Sequence, residues 1–475
     1  MPITKKTKIV ATLGPATSTK SVLRDMILAG VNVFRINFSH ADYSDVSARI
    51  KMIRELNDEL GVYTSILADL QGPKLRVGVM EEGIVVAPGD QVTFATGAPF
   101  VGTATRAYMT YDSFPQDVKV GEKVLLDDGK LLFEVVSTNG KDEVVTKVVQ
   151  GGPLKSKKGV NLPNTKISLP ALTEKDIEDA IFAIGEKVDW IALSFVRFSQ
   201  DLKDLQELIA KHTDLKIPIV SKIEKPEAID NIDEIIEYTD ALMVARGDLG
   251  VEIPAEEVPL IQKQLVLKAK QARKPIIIAT QMMETMIDSL TPTRAEVNDV
   301  ANSVMDGADA VMLSGETSVG QYPVQVIEKM SSILRAVEHS ELIRVPLTPP
   351  VNLSRRYVTK SVCYHAAIMA NEMNTAAIST LTNSGYTAYQ ISAWRPSAHI
   401  LVFTSNKRIL TQLNLLWGVQ AFYYDSMVST DQTILDLNEM AKKAGYVSEG
   451  DTIINLASMP IKERGMVNTL RVSSI

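Results

Sequence analysis

The stretch IPIVSKIEKPE, residues 217–227, has the composition of a buried strand that ends in charged residues. Its first half is apolar and β-branched, which favours a strand, and Lys222 and Glu224 follow two positions apart. Because successive side chains of a strand point to opposite faces, these two share one face and Lys225 lies on the other. We interpret Lys225 as a surface charge. A Lys–Glu pair on a strand is most often a solvated salt bridge of little energetic value, so its meaning depends on where this strand ends.

Seven further short apolar runs have the same character, and a helical pattern separates each run from the next. The eight predicted strands cover residues 8–14, 31–39, 64–70, 189–195, 217–224, 241–248, 275–281 and 310–316. Eight strands alternating with helices are typical of a (β/α)₈ TIM barrel, a fold of the α/β class. We assign residues 1–72 and 170–340 to this discontinuous barrel. Together they make about 240 residues, close to the roughly 250 of a typical barrel.

Two of the intervening helices have sequence signals at their ends. Gly61 is placed to end the first helix, and Thr173 and Asp176 have the spacing of a capping box at the start of the second. The predicted buried faces consist of Ile50, Ile53, Leu56 and Leu60 in the first helix and Ile177, Ala180, Ile181 and Ile184 in the second.

The segment between the two parts of the barrel has a different sequence pattern. Residues 73–169 contain short alternating strands with Asp-Gly and Asn-Gly turns, which predict a small β-barrel-like domain inserted at the C-terminal rim as a lid. The proline-rich stretch 341–355 predicts a linker. Residues 350–475 alternate strands and helices again, so we predict a C-terminal α/β domain that serves effector binding or oligomerisation.

The composition restricts the class of protein. Among 475 residues the net charge is −7, which argues against a nucleic-acid or anionic-membrane surface. Cys363 is the one cysteine, so an internal disulfide is impossible. The first residues lack the apolar core of a signal peptide, and we find no membrane-spanning run. We therefore expect a soluble cytoplasmic protein, and we interpret Cys363 and His365 as core packing of a helix.

Polar residues gather at the C-terminal ends of the predicted strands, where barrel enzymes place their chemistry. Glu224 and Asp248 are the best pair for Mg²⁺, which takes one or two protein carboxylates and fills its remaining positions with water and substrate oxygens. Arg35, Arg76 and Lys222 are cations that suit a phosphate or carboxylate. The full set is Arg35, Asn37, Ser39, Asp69, Lys74, Arg76, Lys222, Glu224, Arg246, Gly247, Asp248, Thr280, Gln281, Ser314 and Glu316.

These residues alone leave more than one chemistry open. A metal, a cationic cluster and no evident protein nucleophile fit phosphoryl transfer, and they fit equally an enolate stabilised by metal and lysine. Arg35 and Asn37 also suit a satisfied buried polar pair, and Asp69 suits a loop cap. Such structural explanations lose force because they must apply independently at six strand ends.

The motifs together resemble those of pyruvate kinases, and the resemblance covers essentially the whole chain. MVARGDLG with ATQM and LSGET at these spacings is highly specific. The matching stretches, in order, are RINFSH (35–40), ADLQGPKLR (68–76), KKGVNLP (157–163), SKIEKPEAI (221–229), MVARGDLGVEIP (243–254), IIIATQMMETM (277–286), PTRAEVNDVANSVMDGADAVMLSGET (292–317) and NTLRV (468–472).

The resemblance implies transfer of the phosphoryl group of phosphoenolpyruvate to ADP, giving pyruvate and ATP in the last step of glycolysis. It implies that Lys222 stabilises the phosphoryl group and the enolate, and that Glu224 and Asp248 hold Mg²⁺ or Mn²⁺. It further implies a homotetramer. The implied substrate-binding residues are Arg35, Lys222, Gly247, Asp248 and Thr280, with Thr280 also on the protonation path, and the implied nucleotide-binding residues are His40, Arg76 and Lys158.

The monovalent-cation region departs from the commonest pattern of the family. Asn37, Ser39, Asp69 and Leu70 match the positions where many members hold K⁺, but Lys74 replaces a Glu found in those members. This chain resembles the potassium-independent branch. A fixed ammonium can replace a bound K⁺, so we expect activity without K⁺, with Lys74 as the built-in cation.

The C-terminal domain resembles effector-binding members at one loop. Thr382, Asn383, Ser384, Gly385 and Thr387 match a loop that binds a phosphorylated effector, although Asn383 replaces a frequent Lys. The stretch ASMPIKERG (457–465) differs from the loop of fructose-1,6-bisphosphate-regulated members. A different sugar phosphate, AMP and no effector remain the alternatives.

Two other functions were weighed against this one. Another enolate-handling barrel, such as a pyruvate aldolase, shares the metal carboxylates but has no need of an inserted lid or of Arg76 and Lys158. A catalytically idle metabolite sensor would work through the C-terminal domain, yet the intact set of Lys222, Glu224, Asp248 and Thr280 argues against it.

Overall fold

The computed structural model describes residues 5–338, 340, 348–351, 354, 356–426, 429–459 and 466–475, and all side chains within these ranges except that of His40. The chain begins with three parallel strands and two helices. Gly61 ends the second helix in the left-handed conformation, with φ +64°, so the predicted stop is confirmed. These elements are β1 (Lys8–Thr12), α1 (Lys20–Ala29), β2 (Val33–Asn37), α2 (Tyr43–Leu60) and β3 (Ser65–Asp69).

A separate sheet domain follows β3, as the alternating pattern predicted. Its main sheet has six strands in the order β11-β7-β8-β9-β5-β6. Its own core contains Phe94, which meets Phe133 edge to face at 5.4 Å between ring centroids. The elements are β4 (Val85–Val86), β5 (Gln91–Ala95), β6 (Arg106–Tyr108), α3 (Phe114–Asp117), β7 (Lys123–Leu126), β8 (Leu131–Thr138), β9 (Glu143–Gln150), β10 (Gly152–Pro153) and β11 (Val160–Asn161).

The chain then returns and completes a closed barrel of eight strands, in the order β1-β16-β15-β14-β13-β12-β3-β2. All neighbours pair in parallel, which confirms the predicted TIM barrel. The elements are α4 (Glu174–Gly185), β12 (Trp190–Leu193), α5 (Ser199–His212), β13 (Ile219–Ile223), α6 (Pro226–Asp230), α7 (Ile232–Tyr238), β14 (Ala241–Ala245), α8 (Arg246–Glu252), α9 (Val258–Ala272), β15 (Ile276–Ala279), α10 (Arg294–Asp306), β16 (Ala310–Leu313), α11 (Gly315–Ser318) and α12 (Pro323–Glu338).

Helix α4 starts with the predicted capping box, and its predicted buried face is confirmed only in part. Ala180 and Ile184 are buried, but Ile177 and Ile181 are each 38% exposed. Two aspartates turn inward instead: Asp176 accepts a hydrogen bond from the Gly72 N–H at 3.0 Å, and Asp179 accepts one from the Tyr43 hydroxyl at 2.7 Å. Because buried carboxylates are tolerated only when they are hydrogen-bonded, these partners determine which side of α4 faces inward.

The C-terminal domain is a five-stranded sheet of order β19-β18-β17-β20-β21, in which β21 is antiparallel. Its strands alternate with helices, as the sequence predicted. The elements are α13 (Tyr357–Glu372), β17 (Ala377–Leu381), α14 (Tyr386–Ala393), β18 (His399–Thr404), α15 (Lys407–Gln412), β19 (Val419–Tyr423), α16 (Thr430–Lys443), β20 (Thr452–Ala457) and β21 (Thr469–Ser474).

Cys363 and His365 of α13 have different environments. Cys363 is fully buried, as predicted, and burial raises the pKa of its thiol to about 12. His365 is exposed, so its assignment to the core was wrong. Residues two apart on a helix do not share a face, and His365 instead makes a 2.7 Å hydrogen bond to the Ser361 carbonyl.

The C-terminal domain covers the N-terminal end of the barrel. Leu415 is 1% exposed and packs in the same core as the inward-facing side chains Val10, Leu67 and Trp190. The Trp190 indole N–H donates to the Gln412 carbonyl at 3.3 Å, and the Lys8 ammonium donates to the Val419 carbonyl at 2.8 Å. Only the C-terminal ends of the strands are therefore left for a site. Every helix in the described part of the chain is too short or too polar to cross a membrane.

Candidate active site

The end of β13 brings a lysine and a glutamate together at the C-terminal rim. The Lys222 ammonium lies 2.8 Å from Glu224 Oε1 and 3.3 Å from Asp69 Oδ1, and it donates to Ser194 Oγ at 2.7 Å. Ser194 directly follows β12 and in turn donates to the Leu70 carbonyl at 2.6 Å. Three neighbouring strand ends thus surround one ammonium.

Arg35 completes this group from β2. Its Nε lies 2.6 Å from Asp69 Oδ2, and its Nη1 donates to Thr12 Oγ1 at 3.0 Å. Burial alone would raise the pKa of Asp69, but the charges of Lys222 and Arg35 overcome that effect and lower it. Asp69 is therefore ionised and holds two cations at the rim.

The charges of the site set the protonation states of its buried groups. Burial would lower the pKa of Lys222, but Asp69 and Glu224 outweigh it and raise the pKa above the ordinary value. Burial raises the pKa of Glu224, and the charge of Asp248 adds to this while Lys222 opposes it. Glu224 Oε2 also accepts a hydrogen bond from the Phe195 N–H at 2.8 Å. Lys222 stays charged, and Glu224 and Asp248 lie close enough to repel.

This pair of carboxylates has the donors that a hard divalent cation prefers. Glu224 is almost completely buried and Asp248 is half-buried, and both offer only oxygen. Mg²⁺ takes one or two protein carboxylates and fills its other positions with water and substrate oxygens, so two carboxylates are enough to hold it. A divalent cation would also relieve the repulsion between Glu224 and Asp248. The residues present therefore fit Mg²⁺.

The loop after β15 holds Thr280 in a strained conformation. Its φ is +68°, a left-handed value that costs a residue with a side chain about 1–3 kcal/mol. Thr280 Oγ1 accepts from the Gly247 N–H at 2.7 Å and donates to the Ala279 carbonyl at 2.6 Å. The hydrogen bond from the Gly247 N–H links Thr280 to the start of α8, where Gly247 and Asp248 lie. The hydroxyl is thereby fixed at the rim.

Arg246 supports this loop and is not a free rim cation. It donates to the Thr280 carbonyl at 2.7 Å, and it makes two bonds of 2.7 Å to the Asp299 carboxylate on α10. Asp299 was not among the predicted site residues, because nothing in a helix interior marks a side chain as the partner of a distant arginine. Ser194 was not among them either, although that serine occupies a strand end like the others.

The inserted domain contributes two cations near β11. Backbone pairing joins Arg76 to Gly159, the residue after Lys158. The Arg76 Nη1 donates to the Lys157 carbonyl at 3.0 Å, and the Lys158 ammonium lies 2.9 Å from Asp127 Oδ1. Asp128, the next residue, lines a cavity of about 840 Å³ with Gly247 and Asp248 of α8, so this part of the inserted domain faces the rim. The side chain of His40 lies outside the described residues.

The contacts of the predicted monovalent-cation residues do not include the Lys74 side chain. Asn37 Oδ1 accepts a hydrogen bond from the Ser39 N–H at 3.1 Å, and Leu70 is buried. The Lys74 backbone N–H donates to the Gly72 carbonyl at 2.8 Å, while its side chain is exposed and its ammonium makes no hydrogen bond or ion pair with the described residues. Asp69 is instead neutralised by Arg35 and Lys222.

Lys225 is not a surface charge, so that interpretation was wrong. The residue is 5% exposed, and its ammonium lies 2.7 Å from Glu252 Oε1 at the end of α8. The strand period correctly predicts that Lys225 points away from Lys222. It cannot reveal that α8 folds back over the end of β13 and buries that face.

The predicted effector loop lies between β17 and α14. Gly385 has φ +79°, and its N–H donates to Thr382 Oγ1 at 3.0 Å. Thr387 is buried and accepts from the Thr380 hydroxyl at 3.0 Å. The exposed Asn383 and Ser384 line a cavity of about 600 Å³ with the cationic residues Lys216, Arg273, Lys274, Arg356 and Arg408. Residues 460–465 of ASMPIKERG, the stretch that differs from the loop of fructose-1,6-bisphosphate-regulated members, lie outside the described residues.

Comparison with known proteins points to one family. The sequence profile "Pyruvate kinase, barrel domain" matches residues 4–327, and "Pyruvate kinase, alpha/beta domain" matches residues 360–473. The chain is 43% identical to the pyruvate kinase of Geobacillus stearothermophilus over 472 residues, 99% of this chain and 80% of that protein. It is 41% identical to the pyruvate kinase of Mycobacterium tuberculosis H37Rv over 474 residues, 100% of this chain and 99% of that protein. A solved pyruvate kinase from Cryptosporidium parvum superposes with a TM-score of 0.91 at 33% identity, covering 99% of this chain and 96% of that one.

Proposed function

The chain belongs to the pyruvate kinase family, and from this premise we propose how its own residues move the phosphoryl group of phosphoenolpyruvate to ADP. The family reaction gives ATP and the enolate of pyruvate, which is then protonated, and it uses a divalent metal, typically Mg²⁺. The observation that carries the assignment to residues is the Lys222 ammonium, enclosed by Asp69, Glu224 and Ser194 at the rim of the barrel.

Lys222 and Arg35 bind the phosphoryl group and stabilise its charge during transfer. Both cations are anchored by Asp69, so they need no rearrangement when negative charge develops on the phosphoryl and enolate oxygens. The raised pKa of Lys222 supports this role, because the side chain then carries its charge at any physiological pH.

Gly247 and Thr280 bind the carboxylate end of the substrate. A Cβ on Gly247 would lie 3.4 Å from Thr280 Oγ1, so glycine leaves the space in front of the hydroxyl open. The Thr280 hydroxyl already accepts one hydrogen bond and donates another, and this arrangement can relay a proton toward the enolate carbon.

Glu224 and Asp248 hold the divalent cation, Mg²⁺ or Mn²⁺. When bound, the cation would supply positive charge that stabilises the enolate. Arg76 and Lys158 bind the phosphates of ADP from the inserted domain. Closure of that domain over the rim excludes water from the transferred group, and it supports transfer to ADP over hydrolysis.

Activity without K⁺ is part of this proposal. Two cations of the chain, Arg35 and Lys222, already neutralise Asp69, and Lys74 stands on the hinge of the inserted domain, from which closure can bring it to the rim. Turnover in tetramethylammonium buffer should then stay within about twofold of turnover in KCl. Lys74→Glu should make activity depend on K⁺, with Lys155→Glu, an exposed lysine of the same domain, as the control. Negligible wild-type turnover without K⁺ would contradict this part.

The effector loop and the oligomer complete the proposal. The cationic cavity beside Asn383 and Ser384 supports a phosphorylated effector, either a sugar phosphate or AMP. From the family resemblance we also propose a homotetramer. Calorimetric titration with sugar phosphates and AMP tests the effector, with Asn383→Asp as the repelling variant. Light scattering tests the tetramer.

One assay tests the central assignment. Purified protein with phosphoenolpyruvate, ADP and Mg²⁺ should form ATP and pyruvate in equal amounts, and EDTA should stop the reaction. If pyruvate supplied with an aldehyde gives the aldol product while no ATP forms from phosphoenolpyruvate and ADP, the protein is an aldolase. Effector binding with no ATP above the blank would indicate a sensor. Glu224→Gln and Asp248→Asn should each weaken Mn²⁺ binding by about tenfold or more, because each removes one of two charged ligands.

A further inference from the structure

A buried carboxylate joins the inserted domain to two segments of the barrel. Glu252 Oε1, at the end of α8, lies 2.7 Å from the Lys225 ammonium and accepts a hydrogen bond from Asn161 Nδ2 at 2.8 Å. The side chains of Glu252 and Lys225 are 1% and 6% exposed. Asn161 belongs to β11 of the inserted domain. One oxygen therefore holds three parts of the chain together.

The two barrel segments in this contact are those that carry the proposed metal ligands. Lys225 directly follows Glu224, and Glu252 lies one helical turn after Asp248 on the same short helix. Fixing Lys225 against Glu252 thus fixes the end of β13 against α8. Because α8 starts at the rim, that contact sets the separation of Glu224 and Asp248.

The third segment belongs to the inserted domain, whose closure over the rim is proposed above. β11 pairs with β7, and Lys158, a proposed ADP ligand, lies just before β11. A separate contact holds the end of the inserted segment: Arg197 donates to the Ile167 and Leu169 carbonyls, each at 2.5 Å. The Asn161–Glu252 hydrogen bond is thus a second attachment, which can break while the Arg197 contact stays intact.

We propose that Glu252 is a positioning residue that couples docking of the inserted domain to the placement of the Glu224–Asp248 carboxylate pair. This rests on the proposed assignment of the divalent cation to that pair. Cation binding draws the two carboxylates to their working separation, and the same separation places Glu252 to accept from Asn161. Binding of the cation and docking of the inserted domain each favour the other, since such coupling is reciprocal.

The test measures this coupling without turnover. Hydrogen exchange of the peptide covering β11 is followed with and without Mn²⁺, and Mn²⁺ affinity is measured by electron paramagnetic resonance of the free ion. In the wild type, Mn²⁺ should slow β11 exchange. Asn161→Ala removes one hydrogen bond to a charged group and leaves the carboxylate pair in place. Mn²⁺ should therefore still bind this variant within about threefold of the wild-type affinity, but it should no longer slow the exchange of β11.

Glu252→Gln should weaken Mn²⁺ binding by about tenfold and also remove the effect of Mn²⁺ on β11, since the tie to Lys225 loses its charge. If that variant is unfolded by its unpaired lysine, Lys225→Met/Glu252→Leu replaces it, because both charges are then absent. The matched control is Glu256→Gln, an exposed glutamate four residues further along the chain, which should behave as the wild type.

The outcomes separate the possible failures. Equal Mn²⁺ protection of β11 in Glu252→Gln and wild type would overturn the proposal, as would unchanged Mn²⁺ affinity in that variant. If Glu224→Gln binds Mn²⁺ as well as the wild type does, the proposed metal assignment fails instead. A drop in thermal midpoint with Mn²⁺ protection intact would mean that Glu252 has a structural role alone.

Discussion

Replacing Lys222 with methionine removes the charge at the centre of the rim and keeps most of the side-chain volume. In the folded protein, this ammonium lies 2.8 Å from Glu224 Oε1 and 3.3 Å from Asp69 Oδ1. The variant leaves two buried carboxylates with Arg35 as the remaining nearby cation. Breaking one partner of a buried ion pair costs about 3–5 kcal/mol of folding free energy, so circular dichroism must first show that the variant is folded at the assay temperature.

The expected loss of activity follows from the charge and the distances. A full charge about 3 Å from an opposite charge is worth about 5 kcal/mol at an effective dielectric constant of 20. Part of this is already present in the ground state through Asp69 and Glu224, and only the part gained in the transition state accelerates the reaction. Removing one preorganised neutral donor typically costs about 10²–10³ in kcat. For a full charge we therefore expect a loss of about 10³–10⁴, or about 4–5.5 kcal/mol.

A lactate dehydrogenase-coupled assay measures kcat and the KM values for both substrates. The KM for ADP should stay within about threefold, because the proposed ADP ligands Arg76 and Lys158 lie on the inserted domain. Ser194→Ala keeps the ammonium but removes one hydrogen bond to it, so we expect a loss of about three- to tenfold. Lys211→Met, at an exposed lysine in the last turn of α5, is the neutral control. A Lys222→Met enzyme with kcat within tenfold of the wild type would refute the reasoning.

Three other changes have outcomes that follow from single contacts. The pKa of Asp69 is lowered in the folded state, so the unfolded state takes up a proton first as pH falls, and stability is lost below about pH 4. In Asp69→Asn, the free energy of unfolding, measured with urea, should therefore fall less steeply as pH is lowered below about 4. The same pH dependence in the variant and the wild type would contradict this prediction. Burial raises the pKa of the Cys363 thiol to about 12, so iodoacetamide at pH 8 should label the protein only after it unfolds. Mass spectrometry of native samples measures the labelling, and rapid stoichiometric labelling of the folded protein would count against this prediction. Gly247→Ala places a Cβ 3.4 Å from Thr280 Oγ1, so the KM for phosphoenolpyruvate should rise on the order of tenfold while the KM for ADP stays unchanged. Equal changes in both KM values would show a general distortion of the site instead.

Much of the fold followed from patterns that depend on neighbours in sequence. The eight barrel strands were visible because a parallel strand buried on both faces is a continuous apolar run. Gly61 and the Thr173 capping box marked helix ends because local hydrogen bonding and backbone conformation determine both. The insertion was visible because antiparallel strands alternate and end in turn residues. Each of these signals is contained in a few consecutive residues.

The wrong predictions concern residues whose surroundings are set by contacts far away in sequence. Ile177 and Ile181 of α4 were expected to be buried, but aspartates of that helix face inward because of partners at Gly72 and Tyr43, far away in sequence. Lys225 was expected to be exposed, and a helix that starts some twenty residues later buries it. Ser194 touches Lys222 only because β12 and β13 are neighbours in the closed barrel. A period predicts the face of a residue, while the fold decides what covers that face.

Leu415 has a consequence for any attempt to divide the molecule. Because a side chain of the C-terminal domain completes the inner core of the barrel, a chain cut in the linker would leave an open, apolar floor beneath the eight strands. The barrel strands are four or five residues long, so that floor and the Lys222 rim are separated by about 16 Å of close-packed side chains. The barrel and the C-terminal domain therefore share this core, and we expect a displacement of the C-terminal domain to move the strand ends at the rim.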